Sequence, residues 1–338
     1  MKYTLGIILL LILAACSTDK TISFSGETMG TWYNIKIIST DLDQEQKTKL
    51  KDDIDERLRQ VNNQMSTYIE SSEISKFNAG PANVPFKVSD SFLKVLTLAN
   101  QITAESGGAF DVTVMPAVNL WGFGRNGRRE EPPLESEVSR LKNYVGMDKI
   151  TINENTISKS HPETELDFSA IAKGYGVDEV ARFVMQKGFT NFMVEIGGEV
   201  VVNGLNAKDG KWRIGIDKPD IEPSVERGFQ AILSLTDEAI ATSGDYRNYF
   251  ISGDSMYSHT IDPVTCRPII NGVASVTVIA PDCATADAMA TAIMVMGEAR
   301  GLEWVESKAD VETMIIVRQN DRFRISASSG FNSYMVKD

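Results

Sequence analysis

Residues 191–204 read NFMVEIGGEVVVNG, and this stretch decides the fold class. β-Branched and aromatic residues dominate on both sides of Gly197-Gly198, which predicts two strands, Asn191–Glu195 and Glu199–Val202. Three more strands follow with no helix between them: Trp212–Asp217, Phe229–Leu235 and Ala239–Thr242. Just upstream, Ile171–Lys187 reads as a helix that Gly188 ends. A doubly wound parallel sheet needs strict alternation of strand and helix; here the two mix without it, so the expected class is α+β.

Working outward, Thr31–Ser39 reads as a strand and Asp43–Ser66 as a long amphipathic helix. Leu50, Ile54, Leu58, Val61 and Met65 place one apolar stripe along that helix. Asp90–Ser106 is a second helix, with Phe92, Val95, Leu96, Ala99 and Ile102 facing inward and Gly107-Gly108 as its stop. Arg125–Pro133 has the composition of a loop, and Glu135–Tyr144 that of a short helix. A small hairpin is expected over Lys149–Ile152 and Thr156–Ser158. Ser275–Ala280 reads as a strand and Ala284–Met296 as a buried Ala/Met-rich helix. Gly301–Ser307 is helical, and Glu312–Val317 with Arg322–Ser326 forms a closing hairpin. No internal repeat is present.

The chain has 338 residues, with 34 Lys+Arg against 46 Asp+Glu, a net charge of -12. Such an acidic chain lacks the basic face that nucleic-acid binding requires. Two histidines, His161 and His259, exclude multi-histidine metal sites, and 3 cysteines exclude a cysteine-rich scaffold. Nucleophile-elbow, zinc-protease and phosphate-loop signatures are absent. Gly122–Gly127 formally matches G-x-G-x-x-G, but it leads into Arg128-Arg129-Glu130-Glu131-Pro132-Pro133, which cannot start the helix that a dinucleotide site needs.

Met1-Lys2 and the apolar run Leu5–Ala15 have the form of a secretory signal, too short to span a bilayer comfortably. The run ends in Leu13-Ala14-Ala15-Cys16, which resembles a bacterial lipoprotein box. The expected organisation is a lipoprotein signal peptide over residues 1–15, a tether over 16–20 lipidated at Cys16, and a single domain over 21–338. The expected location is lipid-anchored on the periplasmic side of the cell membrane. Ser17 leaves the outer membrane open beside the favoured inner one.

Three segments carry chemistry. In Leu166–Tyr175 (LDFSAIAKGY), an Asp precedes small residues, a helix start and Lys173 in its first turn. Helix starts present N–H groups and a positive dipole end to phosphates, though a capped buried helix would look the same. In Ala284–Ala292, Asp287 sits in an apolar helix with Thr291 four residues on, on the same face. That oxygen pair suits Mg²⁺; the alternative is an Asp capping the helix and a Thr bonded to its own backbone. In Ser258–Pro263, His259 leads into an Asp-Pro turn and is a candidate proton-transfer group or a structural histidine.

Together these segments resemble the ApbE family, the FAD:protein FMN transferases. The resemblance extends to Thr28–Thr31, Ser66–Tyr68, Glu73–Asn78, Gly107–Thr113, Glu195–Glu199 and Thr242–Tyr246. It implies a two-lobed α+β fold with FAD between the lobes. It also implies Mg²⁺-dependent cleavage of the FAD pyrophosphate, transfer of FMN to a Thr or Ser hydroxyl of an exported protein, and release of AMP. The implied targets carry D-x-x-[ST]-G-A-[ST] segments. Met29, Tyr68, Ala109, Phe110, Asp111, Asp167, Lys173, His259 and Ile261 match FAD-contacting positions. Ala170, through its carbonyl, joins Asp287 and Thr291 as metal ligands. His259 and Asp287 are the catalytic candidates. An FAD pyrophosphatase, or an FAD-binding lipoprotein without activity, would use the same residues. One departure stands out: the family usually has Gly where this chain has Cys266, and a positive φ there would strain it. A Cys266–Cys283 disulfide and two separate buried thiols both stay open.

Overall fold

A computed structural model describes residues 21–336 apart from 126, 128, 130, 220–227, 246–248, 253–254 and 320–321. The expected signal segment, Cys16 and the tether lie outside the described residues, as does part of the Arg125–Pro133 loop. Among the described residues no helix is long and apolar enough to cross a membrane.

An eight-stranded sheet runs in simple chain order: β1 (Thr21–Thr28), β2 (Thr31–Ile38), β3 (Phe192–Ile196), β4 (Glu199–Asn203), β5 (Glu238–Gly244), β6 (Val273–Ala280), β7 (Glu312–Gln319) and β8 (Arg322–Ala327). Every neighbouring pair is antiparallel. Two tight turns set the register. Thr28 pairs with Thr31 across Met29 and Gly30, and Ile196 pairs with Glu199 across Gly197 and Gly198. All four turn residues have positive φ, from 50° to 108°, as two-residue hairpins of right-handed twist require. Met29 is the one non-glycine among them and carries the strain.

The sheet is a meander with insertions. The largest, between β2 and β3, holds α1 (Gln44–Met65), α2 (Glu73–Ala79), α3 (Asp90–Glu105), α4 (Met115–Leu120), α5 (Glu135–Leu141) and α6 (Ala172–Gln186). It also holds a small sheet of Phe86–Lys87, Ile150–Asn153 and Thr156–Lys159. Between β6 and β7 come α7 (Cys283–Met296) and α8 (Glu298–Glu306). The expected α1 stripe is the buried face, and Asp43 with Gln46 closes a capping box at its start. Strand β1 and the short helices α2 and α4 were not among the sequence expectations. In β1 the alternation of buried Ile22 and Phe24 carried the signal.

Trp212–Asp217 and Phe229–Leu235 do not join the large sheet. They pair with each other and cover its second face, where Trp212, Leu233 and Leu235 meet Val200, Val202, Ile240 and Ile316. The first face carries the helices, with Ile35, Ile37, Val194 and Ile196 against Ile54, Leu58, Val180 and Val184. Covered on both sides, β6 is buried along its whole length. The core continues from α7 (Met289, Ile293) into the inserted lobe (Phe92, Leu96, Phe168).

Candidate active site

The site is built where α6, α7 and β4 meet. Asp167 approaches α6 with its N–H on the Val112 carbonyl (2.7 Å), and its Oδ1 accepts from the Ser169 N–H (2.9 Å). Burial raises the Asp167 carboxyl above the usual range, and the Ser169 N–H only partly opposes this. The start of α6 offers fewer free N–H groups than its sequence suggests. The Ile171 and Ala172 N–H groups are taken by the Phe168 carbonyl, and that of Gly174 donates to Asp287 Oδ2 (3.0 Å).

Asp287 is not the cap of α7. Asp282 is, accepting from the Thr285 N–H, while Asp178 reaches over from α6 to accept from Cys283 and Ala284 N–H, each at 2.9 Å. Asp287 lies in the second turn, 3% exposed. Gly174 makes this closeness possible: a Cβ there would lie 2.3 Å from the Cys283 carbonyl oxygen. Nor does Thr291 bond to its own helix; its hydroxyl is 3.2 Å from the Ser243 hydroxyl on β5.

Lys173 Nζ lies 2.9 Å from Glu199 Oε1 and 3.6 Å from Asp287 Oδ1. Burial alone would lower the Lys173 pKa, but the two carboxylates outweigh it and hold the ammonium above its ordinary value. Glu199 is pushed up to about 7 by burial, with Lys173 pulling the other way and Asp287 adding to the rise. Its Oε2 is buried without a hydrogen-bond partner.

Two cavities of about 380 and 590 Å³ adjoin this cluster, and Asp167, Ser169 and Lys173 belong to the walls of both. The smaller is lined by Ala109, Phe110, Asp111, Ala170, His259, Ile261, Asp287 and Thr291, together with Glu199 and Ser243. The larger is lined by Met29 and Tyr68. The fold thus places every site residue expected from the sequence, Cys16 apart, on the walls of these two adjoining cavities. Asp111 serves it as wall: its carboxylate already accepts from Thr113 N–H and hydroxyl and from Met147 N–H, at 2.6–2.9 Å. His259 is half-buried, edge-on to Phe123 at 6.5 Å between ring centroids.

The donor set fits a hard cation. Asp287, Thr291 and Ala170 supply one carboxylate and neutral oxygens on one cavity wall, as Mg²⁺ sites that retain water do. Among the described residues no group of three His, Cys, Asp or Glu competes as a metal centre. Glu199 and Asp178 were missed in the sequence, because a Glu opening a strand and an Asp within a helix look like solvated positions.

The disulfide is ruled out in this structure: Cys266 and Cys283 are separate, buried free thiols. Cys266 packs with Trp121 and Leu141, while Cys283 packs with Val180 and Val194. The strain expected at Cys266 is present, with φ at 56°.

The ApbE family model matches residues 29–315. An FAD:protein FMN transferase of Vibrio cholerae is 46% identical over 329 residues, covering 97% of each chain. One of Haemophilus influenzae is 40% identical over 333 residues, covering 97% of this chain and 95% of its own. Among solved structures, the flavin transferase ApbE from Vibrio cholerae superposes with a TM-score of 0.84 at 44% identity, covering 93% of this chain and 99% of its own. The apo flavinyl transferase ApbE of Pseudomonas stutzeri gives 0.83 at 34%, covering 93% and 96%. The chain belongs to the ApbE family.

Proposed function

We propose that this chain is an FAD:protein FMN transferase, acting on a Thr or Ser hydroxyl of an exported protein and releasing AMP. The observation that carries the reading is the pair of cavities joined at Asp167, Ser169 and Lys173, beside Asp287 and Thr291. A dinucleotide needs two compartments with its phosphates at the junction, and the junction holds the Lys173 ammonium and the Asp167 carboxyl, with Asp287 and Thr291 beside it in the smaller cavity. On this reading FAD lies between the two lobes.

In the reaction, the acceptor oxygen attacks the phosphorus of the FMN half. The P–O bond to the AMP phosphate breaks, and AMP leaves with the electron pair. Such transfers depend on positioning and charge neutralisation more than on covalent help from the protein. Lys173 neutralises phosphate charge at the junction. His259 faces the same cavity and accepts the proton of the acceptor hydroxyl. Asp287, Thr291 and the Ala170 carbonyl would hold Mg²⁺, which supplies charge stabilisation for the leaving phosphate. Lipid attachment at Cys16 would hold the enzyme where exported targets pass.

Incubation with FAD, Mg²⁺ and a protein carrying a D-x-x-[ST]-G-A-[ST] segment tests the reading. A fluorescent target band after denaturing electrophoresis is expected. FMN and AMP in solution with no labelled protein would replace transfer by pyrophosphate hydrolysis, and tight FAD binding without turnover would leave a flavin-binding lipoprotein.

A further inference from the structure

Glu199 has no task in the mechanism above. It opens β4 on the wall of the smaller cavity and is 3% exposed. Its Oε1 holds the Lys173 ammonium at 2.9 Å, while its Oε2 is buried and unpartnered. A buried carboxylate oxygen without a donor is costly, so its retention calls for a reason. The same ammonium stands 3.6 Å from Asp287 Oδ1. One cation therefore serves two buried carboxylates, and the spare acceptor belongs to Glu199.

We propose that Lys173 is a built-in place-holder for the divalent cation at Asp287, and that Glu199 is the seat to which it withdraws. This rests on the reading of Asp287 as a cation ligand. Without the divalent ion, the ammonium spares Asp287 from being a buried, uncompensated charge. When the ion binds Asp287, the two positive charges repel. The ammonium leaves Asp287, and a second of its N–H groups reaches Glu199 Oε2. No covalent bond changes and no proton is transferred. The lysine and the divalent ion compete for one carboxylate, and Glu199 sets how strongly the lysine competes.

The test is titration of the FAD-free full chain in detergent with Mg²⁺ by calorimetry and Mn²⁺ by electron paramagnetic resonance. Lys173→Met should tighten ion binding, and Glu199→Gln should weaken it, each by about tenfold, the size of coupling usual between contacting residues. In the Lys173→Met background, Glu199→Gln should change affinity by no more than about twofold. The proposal is overturned if Lys173→Met leaves affinity unchanged or weaker, or if Glu199→Gln costs the same with and without the lysine. Asp287→Ala separates the two readings. Lost ion binding there beside an unresponsive Lys173→Met overturns the place-holder alone, and retained binding overturns both. Thermal melts in chelator check folding. The double variant Lys173→Met/Glu199→Gln removes both partners of the ion pair together, so it stays informative if a single variant unfolds. It should bind the ion at least as tightly as the unmodified chain, and weaker binding counts against the proposal.

Discussion

Cys266 shows how one residue can work against its own backbone. Its φ of 56° is the left-handed region that glycine adopts freely, yet its side chain is buried at 1% exposure under Trp121, whose indole N–H donates to the Cys266 carbonyl. The two effects oppose each other: the left-handed backbone costs a residue with a Cβ about 1–2 kcal/mol, whereas the one buried carbon that separates alanine from glycine contributes about 0.8 kcal/mol. Cys266→Gly should therefore destabilise less than Cys266→Ala, although it removes more side chain. Denaturant melts check the order, and a more stable alanine variant would show that burial outweighs backbone strain at this position. His259 belongs to the same segment. His259→Ala should lower the transfer rate at saturating FAD by about 10²-fold or more, the usual loss for a proton acceptor. A full transfer rate would remove the histidine from the chemistry.

Between elements, the contact of α6 with the start of α7 determines where Asp287 stands. Gly174→Ala would drive a Cβ to 2.3 Å from the Cys283 carbonyl oxygen and 2.8 Å from Ala284 Cα, both backbone atoms that cannot swing away. The expected cost is about 1–3 kcal/mol by urea denaturation, as for other overpacked contacts, together with loss of the Gly174 N–H bond to Asp287. An unaltered midpoint would mean that the helices separate freely. Asp178 ties the same contact. Burial pushes its carboxyl up to about 7 from 3.8, against the two N–H groups of α7 that favour the charged form. Folding thus favours its protonated form, so this stability is complete below about pH 4 and is lost as the pH rises through 7. Asp178→Asn has no proton to lose. It should flatten the fall in stability between pH 4.5 and 7.5 by about 1–2 kcal/mol at this half-buried site. Melts at both pH values decide, and an unchanged slope would place the titration elsewhere.

For the whole molecule, a meander sheet in chain order brings distant segments together simply by inserting lobes between consecutive strands. The insertion before β3 carries Asp167 and Lys173, β4 brings Glu199, and the connection after β6 brings Asp287. Membrane attachment is proposed at Cys16. Cys16→Ala should release the protein from the membrane fraction while FAD affinity stays the same, and a variant still pelleting with membranes would refute the anchor. Much of this architecture was legible beforehand. The apolar stripe of α1, the helix stops at Gly107-Gly108 and Gly188, and the Asp287/Thr291 pair are local patterns, determined by residues within a few turns of one another. Family resemblance brought the site residues into one set, and the structure places them on the walls of two adjoining cavities. What the sequence could not settle was every property that depends on two segments meeting. It left open whether Asp287 caps its helix, whether Cys266 bonds to Cys283, and whether Glu199 lies in water or against Lys173. Only the tertiary structure decided these, because burial and charge pairing arise where separate segments meet: α6, α7 and β4 around Asp287 and Glu199, and Trp121 and Leu141 around Cys266.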